Sequence, residues 1–191
     1  MNWETLLCIG DSITLGSRSY LGYPEYCAQY LHEQTKKDWN VSNVAIAGYT
    51  TVDILRLVDL RWSELKLLKP EIISILAGTN DLKIATSQSD FQIAYSQLVL
   101  KSRLLIGNAN IILIRIPHLH DGVMLPYHIN MNDRIVEYNQ AIDLIAKQHG
   151  LLVMQMEQSP DHFFDGIHLN GEGSLDWGRQ LGDFIMNLRR A

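Results

Sequence analysis

Short apolar runs alternate with longer amphipathic stretches along the whole chain. Five runs carry a strand pattern: residues 5–9, 41–46, 71–76, 110–116 and 151–154. Several are apolar almost throughout, as expected of strands covered on both faces. Between them, 23–34, 51–68, 89–106 and 132–148 repeat apolar positions at helical spacing, and 173–189 closes the series. In the second of these, Ile54, Leu57, Val58, Leu65 and Leu68 form one stripe, while Asp53, Arg56, Asp59 and Glu64 fall largely on the other face. Pro70, Gly107 and Gly150 punctuate the ends of the second, third and fourth helices, and Gly150 suits a left-handed cap.

This alternation predicts an α/β fold with a five-stranded, mostly parallel sheet and helices on both faces. The 191 residues fit one core and contain no repeat, low-complexity tract or linker, so a single domain over 1–191 is expected. The unpatterned segments 117–131 and 157–171 read as functional loops. In such sheets ligands lie beyond the carboxyl ends of the strands. Ser12 follows the first strand, Gly48 the second, Asn80 the third, and Asp165 with His168 the fifth, so residues far apart in sequence should meet at one edge.

Composition narrows the partners. With 47% hydrophobic and 19% charged residues the chain is ordinary globular protein, and its net charge of −5 argues against binding nucleic acid through phosphates. No window approaches the length of a membrane span. The start, Met1-Asn2-Trp3-Glu4, lacks the basic region of a signal peptide. Cys8 and Cys27 form no disulfide framework and read as buried, reduced thiols. A cytoplasmic location is expected; the oligomeric state is not legible.

The chemistry lies in short motifs. Ser12 stands in Gly10-Asp11-Ser12-Ile13-Thr14, where a strand ends and the chain turns. A serine hydroxyl needs an imidazole to take its proton and a carboxylate to hold that imidazole in the right tautomer. Asp165 and His168, three residues apart, can lean the same way, so that one ring nitrogen meets the carboxylate and the other faces Ser12. Ser12 reads equally well as a cap, and Asp165-Gly166 as a plain turn. The Asn80 side chain in Gly78-Thr79-Asn80-Asp81, with the N–H groups of Gly48 and Ser12, could serve a developing oxyanion, although each glycine also suits an ordinary turn. Thr14 stands where the nucleophile elbow of α/β-hydrolases has its second glycine, so the first motif is not that elbow.

Taken in order, Gly-Asp-Ser, Gly, Gly-x-Asn-Asp and Asp-x-x-His resemble the blocks of the SGNH hydrolases, the GDSL esterase/lipase family, over essentially the whole chain. Ser12, Gly48, Asn80 and His168 match the four signature residues and Asp165 the triad acid. The resemblance implies a flavodoxin-like three-layer α/β/α sandwich. It also implies hydrolysis of an ester or thioester, a small-molecule substrate, through an acyl-enzyme, with no metal or other cofactor. Two departures stand out. Ile13 replaces the Leu of the first block, and Leu169 follows His168 where Pro is frequent, which leaves the imidazole's loop less rigid.

Other residues carry weaker readings. His118, Leu119, His120 and Asp121 look more like a loop near the substrate than a metal site. Tyr20, Tyr23, Tyr26, Met124 and Tyr127 are candidates to line an acyl or alcohol pocket, and Asp11 and Asp81 to brace the nucleophile turn. Three functions stay open: a serine esterase, an acyltransferase using the same acyl-serine, and a non-catalytic flavodoxin-like binding module. The first loop lacks the glycine spacing of the dinucleotide and phosphate loops, which counts against the third.

Overall fold

The computed structural model describes residues 3–16, 19–106 and 110–190. Five strands, β1 (Trp3–Gly10), β2 (Asp38–Asn43), β3 (Ile72–Leu76), β4 (Asn110–Ile114) and β5 (Leu152–Met154), form one sheet in the order β2-β1-β3-β4-β5. Every neighbouring pair is parallel. This is the strand order of flavodoxin-like sheets, which reverse direction of growth at β1 and open a crevice there.

Among the described residues seven α-helices flank the sheet: α1 (Ser12–Leu15), α2 (Tyr23–Thr35), α3 (Thr51–Leu60), α4 (Trp62–Leu67), α5 (Gln88–Ile106), α6 (Asn132–His149) and α7 (Gly171–Leu188). α2 packs on α7 as one layer, and α3, α5 and α6 pack in sequence as the other. Gly178 and Gly182 let α7 approach α2 closely, because a Cβ on Gly178 would lie 2.9 Å from the Cys27 nitrogen. None of the helices among the described residues is long and apolar enough to cross a membrane.

Burial explains which strands the sequence announces. All five residues of β3 are buried, as are Leu6, Leu7, Cys8 and Ile9 of β1 and the last four residues of β4. Strands sandwiched between helix layers must be apolar on both faces. β2 is an edge strand with half-exposed positions, and it runs three residues earlier than the expected 41–46. The apolar residues behind that expectation, Val44 and Ala45, are buried but lie past the strand's end. The chain there still bonds to β1, with Val44 N–H donating to the Cys8 carbonyl at 3.0 Å and Ile46 N–H to that of Gly10 at 3.2 Å.

The expected helix over 51–68 is two helices. Arg61 leaves the helical basin (φ −96°, ψ 12°), and its N–H is shared between the Leu57 and Asp59 carbonyls. Such three-centre bonds belong to helix ends, and no Gly or Pro marks this one in the sequence. Gly150 takes the left-handed cap after α6 (φ 63°, ψ 39°). Gly107, expected to end α5, lies outside the described residues. α7 begins at Gly171, two residues before its expected start, because Asn170 caps it by accepting from Gly173 N–H at 2.9 Å.

Candidate active site

Strand β1 delivers the chain to its carboxyl edge at Gly10, and the next residue decides the local geometry. Asp11, fully buried, caps α1 by accepting the Ile13 N–H at 3.0 Å. Because Asp11 is the cap, Ser12 becomes the first residue of the helix and its hydroxyl is not consumed by capping. That hydroxyl lies 2.9 Å from His168 Nε2, across 156 residues of sequence.

His168 is held from its other side. Its Nδ1 lies 2.7 Å from Asp165 Oδ2, and the remaining carboxylate oxygen accepts the N–H groups of His168 at 2.7 Å and Ile167 at 3.0 Å. Burial raises the Asp165 pKa, but those N–H donors and the imidazole outweigh it and hold the carboxyl below its ordinary range. Asp165 is therefore an anion at neutral pH. An anion at Nδ1 keeps the ring proton there and leaves Nε2 as the basic nitrogen towards Ser12.

The segment carrying the pair is pinned. Phe163 and Leu169 form an antiparallel bridge, Phe164 N–H donates to the His168 carbonyl at 3.1 Å, and the Tyr20 hydroxyl donates to that of Leu169 at 2.6 Å. These contacts hold the turn without the proline that is frequent at the position of Leu169. Gly166, in the left-handed region (φ 78°), passes so close to the 118–123 loop that a Cβ would lie 2.5 Å from the His120 carbonyl oxygen. His120 N–H in turn donates to the Gly166 carbonyl at 2.9 Å. The His118–Asp121 segment thus buttresses the Asp165 turn. Among the described residues no group of three or more His, Cys, Asp or Glu could hold a metal; His118 N–H and His120 Nε2 both meet Gln158 Oε1.

Gly48 and Asn80 approach from the second and third strand ends. Gly48 turns with φ 83° in open space, so its glycine is needed for conformation rather than for room. Its neighbour Ala47 lines the same cavity as Ser12. Asn80 is buried; its Nδ2 donates to the Tyr49 carbonyl at 3.0 Å and to Asp11 Oδ2 at 3.3 Å, and its Oδ1 accepts from the Tyr127 hydroxyl at 3.0 Å. Asp11 thereby ties the Ser12 turn to Asn80. Burial pushes its pKa up to about 6, against the pull of the Ile13 N–H and the His168 ring. Asp81 braces a different segment: it accepts the Thr51 N–H at 2.8 Å and hydroxyl at 3.0 Å, fixing the start of α3 just beyond Gly48.

A cavity of about 620 Å³ opens over Ser12, Asp165 and His168, walled by Ile13, Leu15, Gly16, Ala47, Phe164 and Leu169. The tyrosines and Met124 expected around it are elsewhere. Tyr23 is buried on Thr14, Tyr26 packs on Gly178, Tyr20 and Tyr127 hold backbone and Asn80, and Met124 is exposed. The aromatic wall is Phe164, which the sequence reading missed. Its ring stacks on that of His168 (centroids 5.7 Å apart, 19° between planes) and stays 61% exposed. The Phe163-Phe164 pair immediately before Asp165 was the available signal.

In three-dimensional form the chain is similar to an acetylxylan esterase from Geobacillus stearothermophilus (TM-score 0.72, 23% identity, 93% of this chain and 92% of that one). It is also similar to an M. smegmatis aryl esterase (0.77, 18%, 97% and 99%) and to a psychrotrophic esterase from Pseudoalteromonas sp. inhibited by monoethylphosphonate (0.76, 21%, 98% and 100%). At these identities the likeness establishes the fold. No curated protein sequence matches significantly. The model of the GDSL-like lipase/acylhydrolase family matches residues 8–174, from the end of β1 into α7 and through every segment described above. The chain belongs to that family, and is a hydrolase of ester bonds.

Proposed function

We propose that residues 1–191 act as one domain, a cytoplasmic serine esterase that passes through an acyl-enzyme on Ser12. His168 takes the Ser12 proton at Nε2 as Oγ attacks the ester carbonyl, and Asp165 stabilises the imidazolium that forms. The N–H groups of Ser12 and Gly48 and the Asn80 carboxamide receive the negative charge that builds on the carbonyl oxygen. As the tetrahedral intermediate collapses, the alcohol leaves with the proton from His168. Water then repeats the sequence and frees the acid and Ser12.

The observation that carries this reading is the unbroken line from Ser12 Oγ to His168 Nε2 at 2.9 Å and from His168 Nδ1 to Asp165 at 2.7 Å. A base within hydrogen-bond reach of its nucleophile, itself oriented by a third group, is what activation of a serine requires. The free, buried Cys8 and Cys27 support the cytoplasmic setting, and the net charge of −5 speaks against a nucleic-acid partner.

The walls of the cavity support a substrate class. Among the described residues lining it, the only charged or polar side chains are Ser12, Asp165 and His168; the rest are apolar. Such a site recognises uncharged esters with a short alkyl or aryl group by contact area rather than by hydrogen bonds. The test is Ser12→Ala. Its kcat should fall by about 10⁶-fold, as loss of the nucleophile does in another serine hydrolase. A fluorophosphonate should label the unaltered chain and not the variant. Near wild-type turnover in Ser12→Ala would refute the proposal.

A further inference from the structure

Tyr127 does not line the cavity, yet it touches Asn80 from the side away from Ser12's helix cap. The residue is 8% exposed, and its hydroxyl lies 3.0 Å from Asn80 Oδ1. A carboxamide oxygen can only accept, so the phenol donates. At the other end of the same amide, Nδ2 donates to the Tyr49 carbonyl at 3.0 Å and to Asp11 Oδ2 at 3.3 Å. Three groups therefore fix the amide. Were it flipped, its oxygen would face two acceptors.

We infer that Tyr127 is a positioning residue that orients and polarises the Asn80 carboxamide as a donor to the oxyanion. The inference rests on the oxyanion role proposed for Asn80. To serve that oxygen, one Nδ2 proton must leave an acceptor it holds in the resting site, and the bond to Asp11 is the longer of the two. Tyr127 holds Oδ1 in place during this exchange, so a proton can change partner without rotation of the amide. Its hydrogen bond also draws electron density towards Oδ1, which strengthens the N–H groups as donors in a buried, low-dielectric setting.

The surroundings keep Tyr127 suited to this task. Burial, followed by the charges of Asp11 and Asp165, pushes its phenol well above the ordinary range, so it remains a donor at working pH. Its ring lies 5.1 Å from Lys83 Nζ, and its N–H donates to the Met124 carbonyl at 3.0 Å. Lys83 directly follows the 80–82 turn that carries Asn80, so the ring and the amide are held by the same short segment.

The test is a double-mutant cycle of Tyr127→Phe and Asn80→Ala in the full chain, with p-nitrophenyl acetate as substrate. Rates are referred to sites titrated with a fluorophosphonate, so that any misfolded fraction does not count. Tyr127→Phe keeps the ring and removes only the hydroxyl. Its kcat should fall roughly tenfold, the scale of one hydrogen bond, with KM within twofold. In the Asn80→Ala background the same change should cost less than twofold, because the amide it acts through is gone. An equal loss in both backgrounds, or no loss of kcat in Tyr127→Phe while Asn80→Ala is impaired, would overturn this inference alone. Wild-type turnover in Asn80→Ala would overturn the oxyanion role and this inference with it.

Discussion

Replacing Asp165 with Asn changes one atom and the whole tautomer logic of the site. The carboxylate accepts three hydrogen bonds, two backbone N–H groups on Oδ1 and the imidazole on Oδ2. An Asn side chain keeps the first two through its own oxygen, so the turn should survive. Its NH₂ then faces His168 Nδ1, where it can only donate. The ring must accept there, and its proton moves to Nε2, the position from which Ser12 is to be deprotonated. Loss of the charge-assisted bond alone costs about 1.5–3 kcal/mol, or roughly 10- to 150-fold in rate. The wrong tautomer adds to this, and the same exchange in another serine hydrolase costs about 10⁴-fold. We therefore expect kcat of Asp165→Asn to fall by about 10³- to 10⁴-fold in steady-state turnover of p-nitrophenyl acetate, with Tm nearly unchanged. A kcat within tenfold of the unaltered chain would refute the reasoning.

Three further expectations follow from the same geometry. Burial raises Asp11 from its ordinary 3.8 to about 6, so between those values the unfolded chain releases a proton that the folded chain retains, and stability falls as pH rises. The stability of the unaltered chain minus that of Asp11→Asn, from urea denaturation, should drop by about 2 kcal/mol between pH 4 and 7; a flat difference would contradict this. Asp81→Ala leaves the buried Thr51 N–H and hydroxyl without their acceptor, and should lower stability by about 2 kcal/mol and Tm by about 4–8 °C; an unchanged melting curve would count against the brace. In the apolar cavity each added methylene is worth about 0.8 kcal/mol, so p-nitrophenyl butyrate should exceed the acetate by about tenfold in kcat/KM. Phe164→Ala should flatten that preference without moving Tm, and a preference that survives the substitution would place the acyl chain elsewhere.

The central strands were legible because burial on both faces leaves a run of apolar residues that nothing else in a small α/β domain produces. The edge strand β2 was legible but displaced by three residues, because with one neighbour and one open side its sequence, Asp38 to Asn43, is mostly polar. The break at Arg61 was silent, since it is made by a shared backbone hydrogen bond rather than by a residue type. At the site, the approach of Ser12, Asp165 and His168 followed from topology: parallel strands send every strand end to one edge. Phe164, and the place of Tyr127 against Asn80 rather than in the cavity wall, escaped for the opposite reason. Their partners, the His168 ring and the Asn80 amide, depend on how two long loops settle over that edge, and no period or spacing records it.

The central claim is that the Ser12 oxygen, made nucleophilic by His168, carries the acyl group between two half-reactions. Rapid acid quench of the chain mixed with excess p-nitrophenyl butyrate, followed by peptide mass spectrometry, tests it directly. The account predicts a butyryl group on the peptide that contains Ser12, formed as fast as p-nitrophenol is released in the first turnover. Butyryl on another residue, or turnover with none on Ser12 even when hydrolysis is slowed at low pH, would contradict it.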